Sequence, residues 1–99
     1  MVNLVVPISA ADALGVMTLA HHAQAAGADL VEIRLDSCAA QGADPRAIVA
    51  VIPQLALPAI LTIRHGSENG EYSIHDDERV RHYAEAMRLG VAWIDCELA

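Results

Sequence analysis

Apolar and polar positions along the 99-residue chain fall into four short strand-like runs separated by three helix-like ones. Asn3 to Ile8 is aliphatic and rich in β-branched residues, bounded by Pro7 and Ser9, and predicts a buried strand. Ala11 to Ala26 is built from helix formers. Ser9 and Asp12 give it a capping-box-like start, Gly27 supplies its stop, and Leu14, Met17, His21 and Ala25 share one stripe. Leu30 to Asp36 alternates with period two, so a strand there sends Leu30, Glu32, Arg34 and Asp36 to one side and Val31, Ile33 and Leu35 to the other. A loop from Ser37 to Ala43 follows.

Asp44-Pro45 is a helix opening, an N-cap with proline at the first helical position. Ile48, Val49 and Ile52 supply its buried face, and Pro53 ends it. Ala59 to Arg64 predicts a third strand with Thr62 and Arg64 on one face. His65 to His75 is a polar loop. Ser73 then caps a helix through Asp76, which carries Asp77 and Glu78 near its start and Arg88 near its end and stops at Gly90. Val80, Tyr83, Ala84 and Met87 form its expected inner stripe. Val91 to Leu98 is the fourth strand, with Asp95 and Glu97 on one face. The strand starts lie about 27 to 32 residues apart with a capped helix in each gap, the spacing of consecutive β/α units. Crossovers of that kind are right-handed and give a parallel sheet. The expected fold is therefore α/β: three β/α units and a fourth parallel strand, in one domain without a linker.

Composition narrows the chemistry. Hydrophobic residues make up 55% of the chain, with no Phe and one Trp, so the core is aliphatic. The formal net charge is −7, which repels phosphate and argues against nucleic acid or an anionic membrane as partner. All six basic residues besides histidine are arginines. With no lysine, no side-chain amine is available for imine chemistry on a carbonyl substrate by this chain alone. Cys38 and Cys96 stand in unrelated contexts without CxxC spacing and read as free thiols of a reducing compartment. The start, Met1-Val2-Asn3-Leu4, lacks a basic signal region and no run has transmembrane length, so a cytoplasmic location is expected.

Parallel neighbours would gather Glu32, Arg34, Asp36, Arg64, Asp95 and Glu97 at one rim, beside the loop carrying Glu68. Guanidinium forks among acids suit a small hydroxylated or carboxylated substrate, and equally a structural ion-pair network. A divalent-metal site of Glu32, Asp36, Asp95 and Glu97 with His65 is a further alternative, opposed by two arginines that compete for the carboxylates. His65 also has the position of a general base. His21 and His22 are adjacent and face different ways, so they form no i, i+4 metal pair.

Three segments together, Val31-Glu32-Ile33-Arg34-Leu35-Asp36, Leu61-Thr62-Ile63-Arg64 followed by Glu68, and Trp93-Ile94-Asp95-Cys96-Glu97-Leu98, resemble the successive strand motifs of type I 3-dehydroquinate dehydratase. The resemblance covers nearly the whole chain. It implies that residues 1–99 are the N-terminal half of that family's eight-stranded β/α barrel, a partial TIM barrel. It also implies dehydration of 3-dehydroquinate to 3-dehydroshikimate in the shikimate pathway through a Schiff base, with no cofactor. By position Glu32 and Arg34 would contact substrate hydroxyl groups, Arg64 would be a further substrate contact, and Glu68 would be the loop acid that orients a catalytic histidine.

The chain also departs from the family pattern. Asn69 precedes Gly70 where the family commonly has two glycines, and Pro7 stands where some members carry a substrate-contacting serine. The family's catalytic histidine and Schiff-base lysine fall on later strands, past Ala99, so this chain is expected to be inactive alone. The competing expectation is a non-catalytic half-barrel that forms a homodimer or pairs with a complementary segment.

Overall fold

Four short β-rich segments pair side by side in chain order. The computed structural model describes residues 4–63 and 76–95. Strands β1 (Val5–Ile8), β2 (Leu30–Arg34), β3 (Ala59–Thr62) and β4 (Trp93–Asp95) form one parallel sheet in the order β1-β2-β3-β4. The expected α/β class with four parallel strands is what the chain adopts. Helix α1 (Ala13–Ala25) joins β1 to β2, α2 (Leu35–Ala40) and α3 (Pro45–Val51) join β2 to β3, and α4 (Asp76–Arg88) precedes β4. Asp12 caps α1 by accepting from the Gly15 amide at 2.7 Å, and Asp44 caps α3 by accepting from the Arg46 amide at 3.1 Å. Gly27 and Gly90 leave α1 and α4 with φ of 95° and 91°, the left-handed turn that favours glycine.

Register sorts the strand residues onto two faces. Val6, Ile8, Val31, Ile33, Ala59, Leu61 and Ile94 lie towards the helices, and most of them are fully buried. With Val16, Leu35, Cys38, Ile48, Val49 and Tyr83 they make the core. The opposite face carries Val5, Pro7, Glu32, Arg34, Ile60, Thr62, Trp93 and Asp95, and no described helix covers it: Val5 is 40% and Trp93 56% exposed. An aliphatic core on one face and a mixed, open face on the other is the layout of a barrel wall seen alone.

Four expectations need correction. The second strand stops at Arg34, not Asp36, and the predicted Ser37–Ala43 loop begins as helix α2. Alternation persists through Leu35 and Asp36, but Ser37-Cys38-Ala39-Ala40 are small helix-compatible residues, and a helical turn buries Leu35, Asp36 and Cys38 together.

The expected stripe of α1 is also displaced. Val16, Ala20 and Ala23 are buried while Leu14 is 72% exposed, because small alanines allow the helix to sit close on the sheet.

In α4 the buried residues are Arg79, His82, Tyr83 and Ala86, and Val80 and Met87 are 67% and 61% exposed. Arg79 and Tyr83 turn inward because the end of β3 offers them backbone groups to bond, which outweighs the apolar count of the other face.

Candidate functional site

The residues singled out on β2 do share the uncovered face. Glu32 pairs with Ile60 and Arg34 with Thr62 across β2 and β3, and Thr62 pairs with Asp95 across β3 and β4. Arg34, Thr62 and Asp95 thus form one row across the carboxyl ends of three strands, and Glu32 stands one row below.

The Thr62 hydroxyl is fully buried and donates to Glu32 Oε2 at 2.8 Å, which fixes the plane of a half-buried carboxylate. Arg34 closes β2 and leads into α2. Its Nη2 lies 3.6 Å from Asp36 Oδ2, with the arginine side chain 24% exposed and the aspartate 1%. Asp36 therefore reaches the site from the first turn of α2, not from the strand face as expected. Its Oδ1 and the Arg34 Nε are buried and without hydrogen-bond partners. What the rim offers a ligand oxygen is therefore the partly exposed remainder of the Arg34 side chain, a guanidinium oriented by Asp36.

The next strand end is fixed from behind by α4. The Tyr83 hydroxyl donates to the Asp95 carbonyl oxygen at 2.6 Å and accepts from the Ile63 amide at 3.2 Å, and an Arg79 Nη2 donates to the Ile63 carbonyl at 3.3 Å. This clamp holds the backbone immediately before Arg64. The pattern of apolar residues missed Arg79 and the role of Tyr83. Their i, i+4 spacing, which places both on one helix face opposite the strand end, is the signal that would have found them.

Beneath the same rim lies Cys38, a free thiol in the core whose Sγ accepts from the Ala10 amide at 3.5 Å. Burial pushes its pKa up.

Arg64, His65, Glu68, Asn69, Ser73, Cys96 and Glu97 lie outside the described residues. Of the metal-site alternative, Glu32 is engaged by Thr62 and Asp36 faces Arg34. Among the described residues no group of three or more histidine, cysteine or acidic side chains is placed to hold a metal ion. Among the described residues no helix is long and apolar enough to cross a membrane.

Residues 4–99 match the model of a family described as Type I 3-dehydroquinase. The chain is 36% identical over 72 residues to a 3-dehydroquinate dehydratase of Desulfotalea psychrophila, covering 73% of this chain and 30% of that protein. It is 35% identical over 80 residues to a 3-dehydroquinate dehydratase of Methanothrix thermoacetophila, covering 81% and 33%. A third relative, the chloroplastic bifunctional 3-dehydroquinate dehydratase/shikimate dehydrogenase of Arabidopsis thaliana, is 40% identical over 73 residues, 73% of this chain and 12% of that protein. The matches thus span about a third of the two single-activity relatives.

Proposed function

The chain belongs to the type I 3-dehydroquinase family, and from that premise we propose that it supplies the hydroxyl-recognising wall of a site that dehydrates 3-dehydroquinate to 3-dehydroshikimate. The observation that carries this is the open sheet face. There a carboxylate held by Thr62 and a guanidinium beside Asp36 stand on the same face within one row of each other. Glu32 accepts from a substrate hydroxyl through the oxygen that Thr62 leaves free. Arg34 donates from its guanidinium to a second oxygen, and Arg64 adds a further contact. Glu68 orients a histidine supplied from outside these residues.

The ketone of the substrate is converted to an imine before the α-proton is removed. The chain has no lysine, so the amine for that step comes from elsewhere. A cytoplasmic, cofactor-free lyase is the corresponding setting. Incubating the chain with 3-dehydroquinate and borohydride, followed by intact mass, is expected to give no adduct. Calorimetry is expected to show weak, non-covalent binding that Glu32→Gln and Arg34→Ala abolish. A covalent adduct on this chain, or binding indifferent to both substitutions, overturns the assignment.

The same open face supports a second reading, association. Exposed Val5 and Trp93 on β1 and β4, the outermost strands among the described residues, suit a second copy or a complementary segment closing the wall into a barrel. Sedimentation velocity is expected to show self-association that Trp93→Lys weakens. A stable monomer at all concentrations contradicts it.

A further inference from the structure

On the helix-covered side of the sheet, away from Glu32 and Arg34, α3 and α4 leave a cavity of about 530 Å³ between them. That volume is within the range of small-molecule pockets. Arg46 of α3 and Arg81 of α4 line it from opposite sides, both exposed and neither with an ion-pair partner among the described residues. Val49 and Leu89 give it apolar surface.

His82 also lines the cavity. It is 9% exposed and makes no hydrogen bond among the described residues. Burial pushes its pKa down, so at neutral pH it offers an uncharged ring with one N–H to donate. Of the acids nearby, Glu85 is taken by Arg88, while Glu78 in the lining and Asp44 beside His82 offset part of the positive charge, so the cleft suits a single carboxylate and not a multiply charged anion. His82 stands in the lining beside two guanidinium groups that make no ion pair among the described residues, and together they give the cleft a recognition geometry.

We propose that the α3–α4 cleft is a second binding site for a small amphipathic monocarboxylate. Its carboxylate is held between Arg46 and Arg81 with the His82 N–H donating to it, and its apolar body lies over Val49 and Leu89. The site is independent of the rim on the opposite face, and its test does not depend on the activity assigned there.

The experiment is a titration of the isotopically labelled chain with 3-phenylpropionate, followed by amide shifts, with acetate and 3-phenylpropanol as controls. Saturable shifts are expected at Arg46, Val49, Arg81, His82 and Leu89, with each control binding at least about tenfold more weakly. Arg81→Ala, at an exposed position that the fold does not need, weakens binding about fivefold or more, as does Arg46→Ala, because each removes one charge-assisted contact. His82→Gln retains part of the affinity and His82→Leu loses it. Absence of saturable shifts, equal binding of 3-phenylpropanol, or affinity unchanged in both arginine variants overturns the proposal. Loss of the shifts in Arg34→Ala would place the ligand on the other face and overturn it equally.

Discussion

The Thr62 hydroxyl on β3 donates to Glu32 Oε2 on β2 at 2.8 Å, so a residue of one strand sets the orientation of the acid proposed to read substrate on its neighbour. The bond exists because the two strands run parallel in a register that puts both side chains on the uncovered face.

Thr62→Val keeps the shape and strand preference of the side chain but removes the donor. Loss of one such hydrogen bond is worth about 0.5–1.5 kcal/mol. Calorimetric binding of 3-dehydroquinate is therefore expected to weaken about threefold to tenfold, with Thr62→Ser restoring it. Equal affinity in all three proteins would remove Thr62 from the site.

Tyr83→Phe tests the clamp behind the rim. It leaves the ring in the core and strands the Asp95 carbonyl and the Ile63 amide, which its hydroxyl now bonds. The Ile63 amide is buried, and a buried backbone group without a partner costs about 1–3 kcal/mol. Urea unfolding is expected to show a midpoint lowered accordingly, and hydrogen exchange is expected to quicken first at β4.

Much of this arrangement is legible in the sequence, and what is not has physical causes. The cap at Asp44 and the stops at Gly27 and Gly90 follow from local chemistry and appear where expected, whereas α1 starts three residues later than the Ser9 opening, with Asp12 itself as its cap. The parallel order follows from β/α spacing alone. Which side of α4 faces inward did not follow, because Arg79 is drawn to Ile63 by a tertiary hydrogen bond that no count of apolar residues registers. Asp36 was expected beside Glu32 and Arg34 on a strand. It reaches Arg34 from a helical turn, since alternation over two more residues cannot distinguish a strand end from a buried helix start.

Cys38 is predicted to be inert in the folded chain. Its thiol is buried and its pKa raised by that burial, so little thiolate is present at neutral pH. Iodoacetamide labelling followed by peptide mass analysis is expected to leave Cys38 unmodified in buffer and to modify it readily in urea. Rapid labelling in buffer would contradict the packing of α2.

The pH dependence of stability has a contribution of known sign from His82. Its folded-state pKa lies below the ordinary 6.5, so above that value the ring is neutral in both states and the contribution is fully present. As pH falls through 6.5 the unfolded chain takes up a proton that the folded chain refuses, and stability is lost until the folded ring protonates as well. Thermal unfolding of the wild type is expected to fall more steeply over this interval than that of His82→Gln. Parallel curves would show that the ring is not held neutral.

Arg34, on the same strand face as Glu32, is proposed to offer its partly exposed guanidinium to a hydroxylated ligand on the open side of the sheet. The most direct measurement is the side-chain Nε–Hε resonance of Arg34 during titration with 3-dehydroquinate. A saturable shift of that signal, abolished by Glu32→Gln and absent with a deoxygenated cyclohexane carboxylate, is the predicted result. A signal that stays fixed while 3-dehydroquinate binds elsewhere on the chain would contradict the assignment of this face.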